Sequence, residues 1–246
     1  MTALVTGASN GIGAETAFAF ASNGAYALIH YHTDEASATK VLERIRAGGS
    51  DGELLQSDLS CSQGLHHLID EVSQTGRGVD ILINNAGSLI KRTRFLDFTE
   101  ELWDNVLMLN LNSAFLITKA LLPGMVERKF GFVVNVSSVA ARNGGGLGAI
   151  AYSTAKGGLS VMTKGLAKEF GPQGIRINAV SPGTVDTNYH RKFSTEHMLA
   201  GVRAATPIGR LGTPEEIANV IMFLCSDGAR FIHGQVIEVN GGFLMV

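Results

Sequence analysis

Tyr152 and Lys156 stand four residues apart in a run, Ala151 to Phe170, whose composition and spacing predict a helix. That interval puts both side chains on one helical face, a turn apart. A free phenol has a pKa of about 10, too high to exchange protons readily near neutrality. A neighbouring ammonium favours the phenolate and lowers that value. The pair can then give a proton to a carbonyl or take one from an alcohol. Tyr-x-x-x-Lys is also a common accident of helix surfaces. Its chemical reading depends on what the rest of the chain places around it.

The second chemical signal is Gly7-x-x-x-Gly11-x-Gly13, between a short β-prone run (Ala3 to Thr6) and a helical pattern reaching about Asn23. Glycines let a backbone approach a dinucleotide pyrophosphate, and a helix N-terminus supplies N–H donors and positive dipole. A tight turn serving packing alone is the plainer explanation for such a loop taken by itself.

The elements that must position these residues alternate along the chain. Strands are predicted at Ala25 to Tyr31, Glu53 to Gln56, Val79 to Ile83, Phe132 to Val136, Ile175 to Val180 and Val236 to Val239. Helices are predicted at Glu35 to Ala47, at Gln63 to Gln74, and from Thr99 towards Lys129 with a bend near Pro123. A further helix is expected after Thr213-Pro214-Glu215-Glu216, which has a Thr cap, Pro at the first helical position and Glu closing a capping box. Strand following helix from end to end implies an α/β fold, a doubly wound parallel sheet. No linker, repeat or low-complexity stretch interrupts it, so residues 1–246 are expected to form a single domain.

Thr6-Gly7-x-x-x-Gly11-x-Gly13, Asn84-Asn85-Ala86-Gly87, Ser138, Tyr152-x-x-x-Lys156 and Pro182-Gly183 follow one another in this order. With them the whole chain closely resembles the short-chain dehydrogenase/reductase family. The resemblance implies a Rossmann-type fold that binds NAD or NADP, and hydride transfer between nicotinamide and a carbonyl or alcohol carbon. It also implies roles. Tyr152 is the general acid/base, Lys156 holds the nicotinamide ribose and depresses the tyrosine pKa, and Ser138 holds the carbonyl oxygen. Asn110 anchors a water in the proton relay. Ser137 and Asn112 are the neighbouring alternatives to Ser138 and Asn110.

The implied cofactor wall begins with Gly7, Ser9, Asn10, Gly11, Ile12 and Gly13, then Tyr31 and His32 at the end of the second strand. Asp58 and Leu59 follow the third strand, where the family carboxylate meets the adenine amino group. Asn84, Asn85, Ala86 and Gly87 follow the fourth. Tyr152 and Lys156 contribute next, and Pro182, Gly183, Val185 and Thr187 clasp the nicotinamide carboxamide. Ser138, Gly145, Tyr189 and His190 are expected to face the substrate. Ser138 and Tyr152 are fourteen apart, one more than the commonest family spacing, which enlarges the loop Asn143 to Gly148. Asn10 stands where many NADP-using members carry Arg or Lys.

A carboxylate ending the second strand would bind the ribose hydroxyls of NAD and repel the NADP 2′-phosphate. That strand ends His30-Tyr31-His32-Thr33, with no acid before Asp34, which favours NADP(H) and leaves NAD(H) possible. His30 and His32 are both candidates to meet the phosphate, and both could instead be packed or solvated. The substrate wall is expected from the Gly-rich loop and a long connection at about 184–211. The strings Gly144 to Gly148 and Pro182 to His190 resemble those of sugar keto-acid reductases, and the overall chain resembles 3-oxoacyl-[acyl-carrier-protein] reductases. The latter carry two basic carrier-docking residues; here Lys129 fills one place and Gln173 the other. A small carbonyl or alcohol substrate therefore ranks first. A dinucleotide-sensing regulator without turnover is the reading from another class, and the complete catalytic set argues against it.

Of the 246 residues 45% are hydrophobic and the formal charge is −2, so nothing suggests nucleic acid. Cys61 and Cys225 are too few and too separate for a disulfide scaffold or a CxxC metal site. No apolar run is expected to reach a membrane span, and Met1 is followed almost at once by a core strand, so a cytoplasmic protein is expected. Leu107, Met108, Leu109, Leu111, Phe115, Leu116 and Ile117, with the apolar tail Phe243 to Val246, exceed what one sheet-facing stripe needs and predict a homotetramer.

Overall fold

The computed structural model describes residues 1–188 and 193–246. Its centre is a seven-stranded sheet: β1 (Thr2–Val5), β2 (Tyr26–Tyr31), β3 (Gly52–Gln56), β4 (Ile81–Asn84), β5 (Gly131–Val136), β6 (Ile175–Pro182) and β7 (Val236–Val239). The order across the sheet is β3-β2-β1-β4-β5-β6-β7, and every pairing is parallel. Parallel strands covered on both faces are apolar at successive positions, as Ala3, Leu4 and Val5 are, all fully buried.

Two apolar layers result. On one face α1 (Gly11–Ser22) and α2 (Glu35–Ala47) pack with a later helix, α9 (Pro214–Leu224), through Ala17, Phe20, Ile45, Ile217 and Ile221. On the other, α3 (Ser62–Gln74) and the long central helices cover Leu4, Leu28, Leu82 and Val133. The order in which strands are added reverses between β1 and β4, and the crevice outside their carboxyl ends is where an open α/β sheet takes a ligand.

Local chemistry sets the helix starts. The Asp34 carboxylate accepts the Ser37 N–H at 3.1 Å, and Thr99 Oγ1 accepts the Leu102 N–H at 3.1 Å. Thr213 and Glu216 close the expected capping box at the start of α9 (Pro214–Leu224). The long helix expected from Thr99 is α4 (Glu100–Leu107), one π-helical turn at Met108–Asn112, and α5 (Ser113–Arg128). Pro123 lies inside α5, but the departure from regular α geometry comes earlier, at the π turn.

This helix corrects one expectation. At 29 residues, with a mean hydropathy of 1.4 over its most apolar stretch, Glu100–Arg128 is long and apolar enough to cross a membrane. Its sheet-facing side buries Ala114, Ile117, Leu122 and Met125.

Three further α-helices stand among the described residues. α6 (Ala140–Asn143) is a single short turn after β5, and α7 (Ile150–Phe170) follows the Gly-rich loop. α8 (Glu196–Ala205) occupies the connection for which no element was expected, started by Thr195 Oγ1 accepting the Met198 N–H at 3.2 Å.

Candidate active site

A cleft of about 940 Å³ runs along the carboxyl ends of the strands, from the β1–α1 loop to the inner side of α8. Gly7 and Gly11 in that loop adopt φ of 63° and 57°, which side chains resist. Asn10 makes no side-chain cap on α1, so the first N–H groups of that helix stay available at the cleft wall. A Cβ on Gly7 would come within 2.9 Å of Ala86 Cα. Bare backbone and uncapped donors fit a pyrophosphate. Gly13 is not in the cleft wall: a Cβ there would meet Gly7 O at 2.3 Å and Asn85 Nδ2 at 2.5 Å, so this glycine braces the loop from behind.

The adenosine end separates the two histidines. His30 is buried, and its Nδ1 accepts the Gly7 N–H at 3.0 Å. The proton must then sit on Nε2, which donates to the Ser57 carbonyl at 3.1 Å. Burial, opposed by that hydrogen bond, lowers the His30 pKa to about 4. His30 is a neutral bracket beneath the glycine loop, which removes it as a phosphate ligand. His32 stands further out in the cleft wall, its Nε2 3.7 Å from Asp58 Oδ2. Tyr31 lies outside the wall, because alternate strand residues face opposite ways and it turns from the side that His30 and His32 share.

Asp58 and Leu59 both line the cleft. Burial acts to raise the Asp58 pKa, but donation from the Ser60 O–H and N–H, at 2.6 and 2.9 Å, leaves it below the usual carboxylate value. Asp58 is not a helix cap, since Cys61 occupies that place on α3.

At the centre the same alternation corrects Asn84. Its amide nitrogen turns into the core, to Thr118 Oγ1 at 3.0 Å and Asn135 Oδ1 at 2.8 Å. Asn85, Ala86 and Gly87 do reach the wall. Asn85 Nδ2 bonds the Thr6 and Gly7 carbonyls at 2.8 and 2.9 Å, tying this turn to the glycine loop.

Lys156 is 2% exposed, and its Nζ donates to the Val136 carbonyl at 2.7 Å and stands 5.6 Å from the centre of the Tyr152 ring. Burial lowers the Lys156 pKa to about 8. Ser138 Oγ accepts the Ala140 N–H at 3.1 Å, which leaves its own proton to donate. Ser137 has spent its hydroxyl on the Lys156 carbonyl and Ser160 Oγ, at 3.0 and 2.7 Å.

Asn110 sits in the π turn, 1% exposed, while Asn112 is exposed. The Asn110 side chain does not reach the cleft. Its amide bonds the Ser88 carbonyl and N–H at 2.8 and 3.0 Å and the Val106 carbonyl at 2.8 Å. It thereby holds Gly87 and Ser88, and a Cβ on Gly87 would meet Asn110 Oδ1 at 2.6 Å and Lys156 Nζ at 3.0 Å.

Beyond Tyr152 the cleft is walled by Gly145, Gly146, Ser194, Met198, Leu199 and Val202, and by Phe243 of the C-terminal tail. Pro182, Gly183, Val185 and Thr187 close the middle, with Thr187 Cγ2 3.1 Å from the position a Gly11 Cβ would take. Tyr189 and His190 lie outside the described residues. Sequence reasoning missed Arg92 in this wall: it lies in Lys91-Arg92-Thr93-Arg94, which reads as solvated charge.

Known proteins share this architecture. Residues 7–244 match the family model described as enoyl-(acyl carrier protein) reductase. An uncharacterized oxidoreductase of Bacillus subtilis is 39% identical over 98% of both chains. A 3-oxoacyl-[acyl-carrier-protein] reductase of Aquifex aeolicus is 37% identical, covering 97% of this chain and 95% of its own. Among solved structures, a protein from Beutenbergia cavernae assigned as an NAD(P)-dependent gluconate 5-dehydrogenase, with NADP bound at low occupancy, superposes with a TM-score of 0.91 at 33% identity. It covers 98% of this chain and 96% of its own. A 3-oxoacyl-[acyl-carrier protein] reductase from Brucella melitensis with bound NAD also gives 0.91, at 32% identity over 100% of this chain and 91% of its own. With a glycine cradle, an uncapped helix and a Ser–Tyr–Lys wall on a seven-stranded parallel sheet, the chain belongs to the short-chain dehydrogenase/reductase family and is an NAD(P)-dependent oxidoreductase.

Proposed function

We propose that this enzyme reduces the carbonyl of a small sugar-derived keto acid, or a related ketone or aldehyde, with NADPH preferred to NADH. The observation that carries the reading is one continuous wall in which Ser138, Tyr152 and Lys156 stand between the glycine cradle and the Gly-rich loop. Gly7–Ile12 and Pro182–Thr187 would hold the dihydronicotinamide cofactor, which would supply the hydride. Ser138 holds the carbonyl oxygen with its unspent O–H, and Tyr152 delivers the proton that completes the alcohol. The Lys156 ammonium favours the phenolate left behind and lowers the cost of that transfer. Asn110 acts from behind, by fixing the Gly87–Ser88 backbone.

The preference for NADPH rests on the end of β2. The strand itself ends without a carboxylate; His32 and Thr33 line the cleft there, and Asp34 beyond them caps α2 with one oxygen. The substrate loop at about 184–211 carries α8, whose Met198, Leu199 and Val202 form an apolar part of the cleft wall. A 3-oxoacyl-[acyl-carrier-protein] reductase is the second reading, supported by relatives bearing that name. Against it, only Lys129 of the two carrier-docking positions is basic; Gln173 is not. The enzyme acts as a cytoplasmic homotetramer in this proposal.

Rates of NADPH and NADH oxidation with sugar keto acids, 3-oxoacyl thioesters and simple ketones test it. The keto acid with NADPH should give the highest kcat/KM, and a thioester in that place would transfer the assignment to the second reading. Tyr152→Phe should lower kcat by about a hundredfold or more, the loss expected for a positioned acid, with NADPH affinity nearly intact. Near-normal turnover would remove Tyr152 from the mechanism.

A further inference from the structure

Charge is distributed unevenly along the cleft. Asp34 and Asp58 are the carboxylates in its wall among the described residues, and both lie at the adenosine end. The substrate end has Lys156 and Arg92 and no described acid. Lys156 is committed to the Val136 carbonyl and to Tyr152. Arg92 takes part in none of the ion pairs among the described residues.

The guanidinium is nevertheless held. Its Nε donates to the Phe193 carbonyl at 2.8 Å and its Nη1 to the Leu147 carbonyl at 2.9 Å. These anchors come from the two walls of the substrate end, the Gly-rich loop and the segment leading into α8. The neighbouring Thr93 N–H bonds the Gly148 carbonyl at 3.3 Å, which pins the same loop a second time. A guanidinium has five N–H donors, so three remain, including both on Nη2.

The backbone before it is unusual as well. Ile90 has φ of 58°, and the Lys91 N–H reaches the Leu89 carbonyl at 2.6 Å, a tight turn centred on Ile90. A β-branched residue in that region is strained, and such strain persists where the surroundings enforce it, often beside a ligand. The Ile90 N–H is fixed by Ser88 Oγ at 2.9 Å, and Ser88 is itself held by Asn110. A braced, strained turn therefore delivers Arg92 to the cleft.

We infer that Arg92 is a specificity-determining residue that binds the carboxylate of the substrate. The inference deepens the keto-acid reading and rests on it for the identity of the substrate. A preorganised guanidinium matches a carboxylate's two oxygens, and it has already given up its rotational freedom to the two loop carbonyls. A neutral ketone would leave its remaining donors unmatched.

The test uses the full-length enzyme and its Arg92→Gln and Arg92→Lys variants. Each is assayed with 5-keto-D-gluconate and with the neutral diketone 2,3-butanedione, and D-gluconate serves as inhibitor of butanedione reduction. NADPH binding by titration calorimetry confirms that each variant is folded. Arg92→Gln should raise KM for the keto acid and Ki for gluconate by about 10- to 100-fold, the loss of one charge-assisted contact. Its kcat/KM should fall at least about tenfold more for the acid than for the diketone, and Arg92→Lys should lie between. Equal losses on both substrates with an unchanged gluconate Ki would overturn the inference, leaving Arg92 as a tie between loops. Wild-type enzyme that turns over acyl thioesters and not the keto acid, with gluconate inhibition of thioester reduction weakened by Arg92→Gln, would sink the keto-acid reading alone and leave the anion site standing.

Discussion

His30 carries a liability that shows only below neutrality. With Nδ1 accepting from Gly7 and Nε2 donating to Ser57, the ring fits only when neutral. Its folded pKa of about 4 lies below the ordinary 6.5, so between those values the unfolded chain takes up a proton that the folded one refuses. Stability is therefore full above pH 6.5 and declines as the pH falls towards 4, by about 3 kcal/mol in total. His30→Gln should flatten this part of the Tm–pH curve, measured by calorimetry, and unchanged slopes would mean that other groups set it. The sequence made His30 and His32 equal candidates for the phosphate. Which one is buried depends on where β3 ends and puts Ser57, a long-range fact that strand alternation alone cannot supply. Alternation does explain why Tyr31 and Asn84 leave the wall, given which neighbours face the cleft.

At the scale of elements, the β1–α1 turn works as one piece with the β4 turn. Gly13 has no Cβ because Gly7 O and Asn85 Nδ2 occupy the space. Gly13→Ala should displace the cradle and raise the NADPH dissociation constant by about tenfold, roughly 1.4 kcal/mol. Titration calorimetry checks this, and unaltered affinity would show that the loop yields without cost. Most elements were legible because period and caps agreed: Glu35–Ala47 and Val236–Val239 match their predicted bounds. α8 was missed although Thr195 and Glu196 form a reasonable start signal, because the long polar stretch before it reads as loop. The π turn at Met108–Asn112 has no sequence signature of its own, yet it is what turns Asn110 inward and Asn112 outward. Arg92 was invisible for a related reason: its selection depends on the turn at Ile90.

At the scale of the molecule, apolar surface remains after the chain has covered its own sheet. Phe115 on α5 is 48% exposed and Val161 on α7 is 69% exposed, on the two helices that flank the catalytic wall. The C-terminal tail divides: Phe243 folds back to line the cleft, while Met245 and Val246 stay exposed. Self-association would cover such surface. Light scattering at micromolar concentration should give a tetramer mass, and Val161→Asp should lower the assembly state. A wild-type monomer would count against the proposal.

The strand order has a consequence for how the chain can be made. β2 joins β1 and β3 joins β2 on one side; β4, β5, β6 and β7 then add one after another on the other side. Each strand meets an open edge at the moment the ribosome releases it, and none has to be inserted between two that are already paired. The nucleotide half, residues 2–84, can thus template the growing sheet before Tyr152 has been synthesised. Assembly can follow translation in the order of the message.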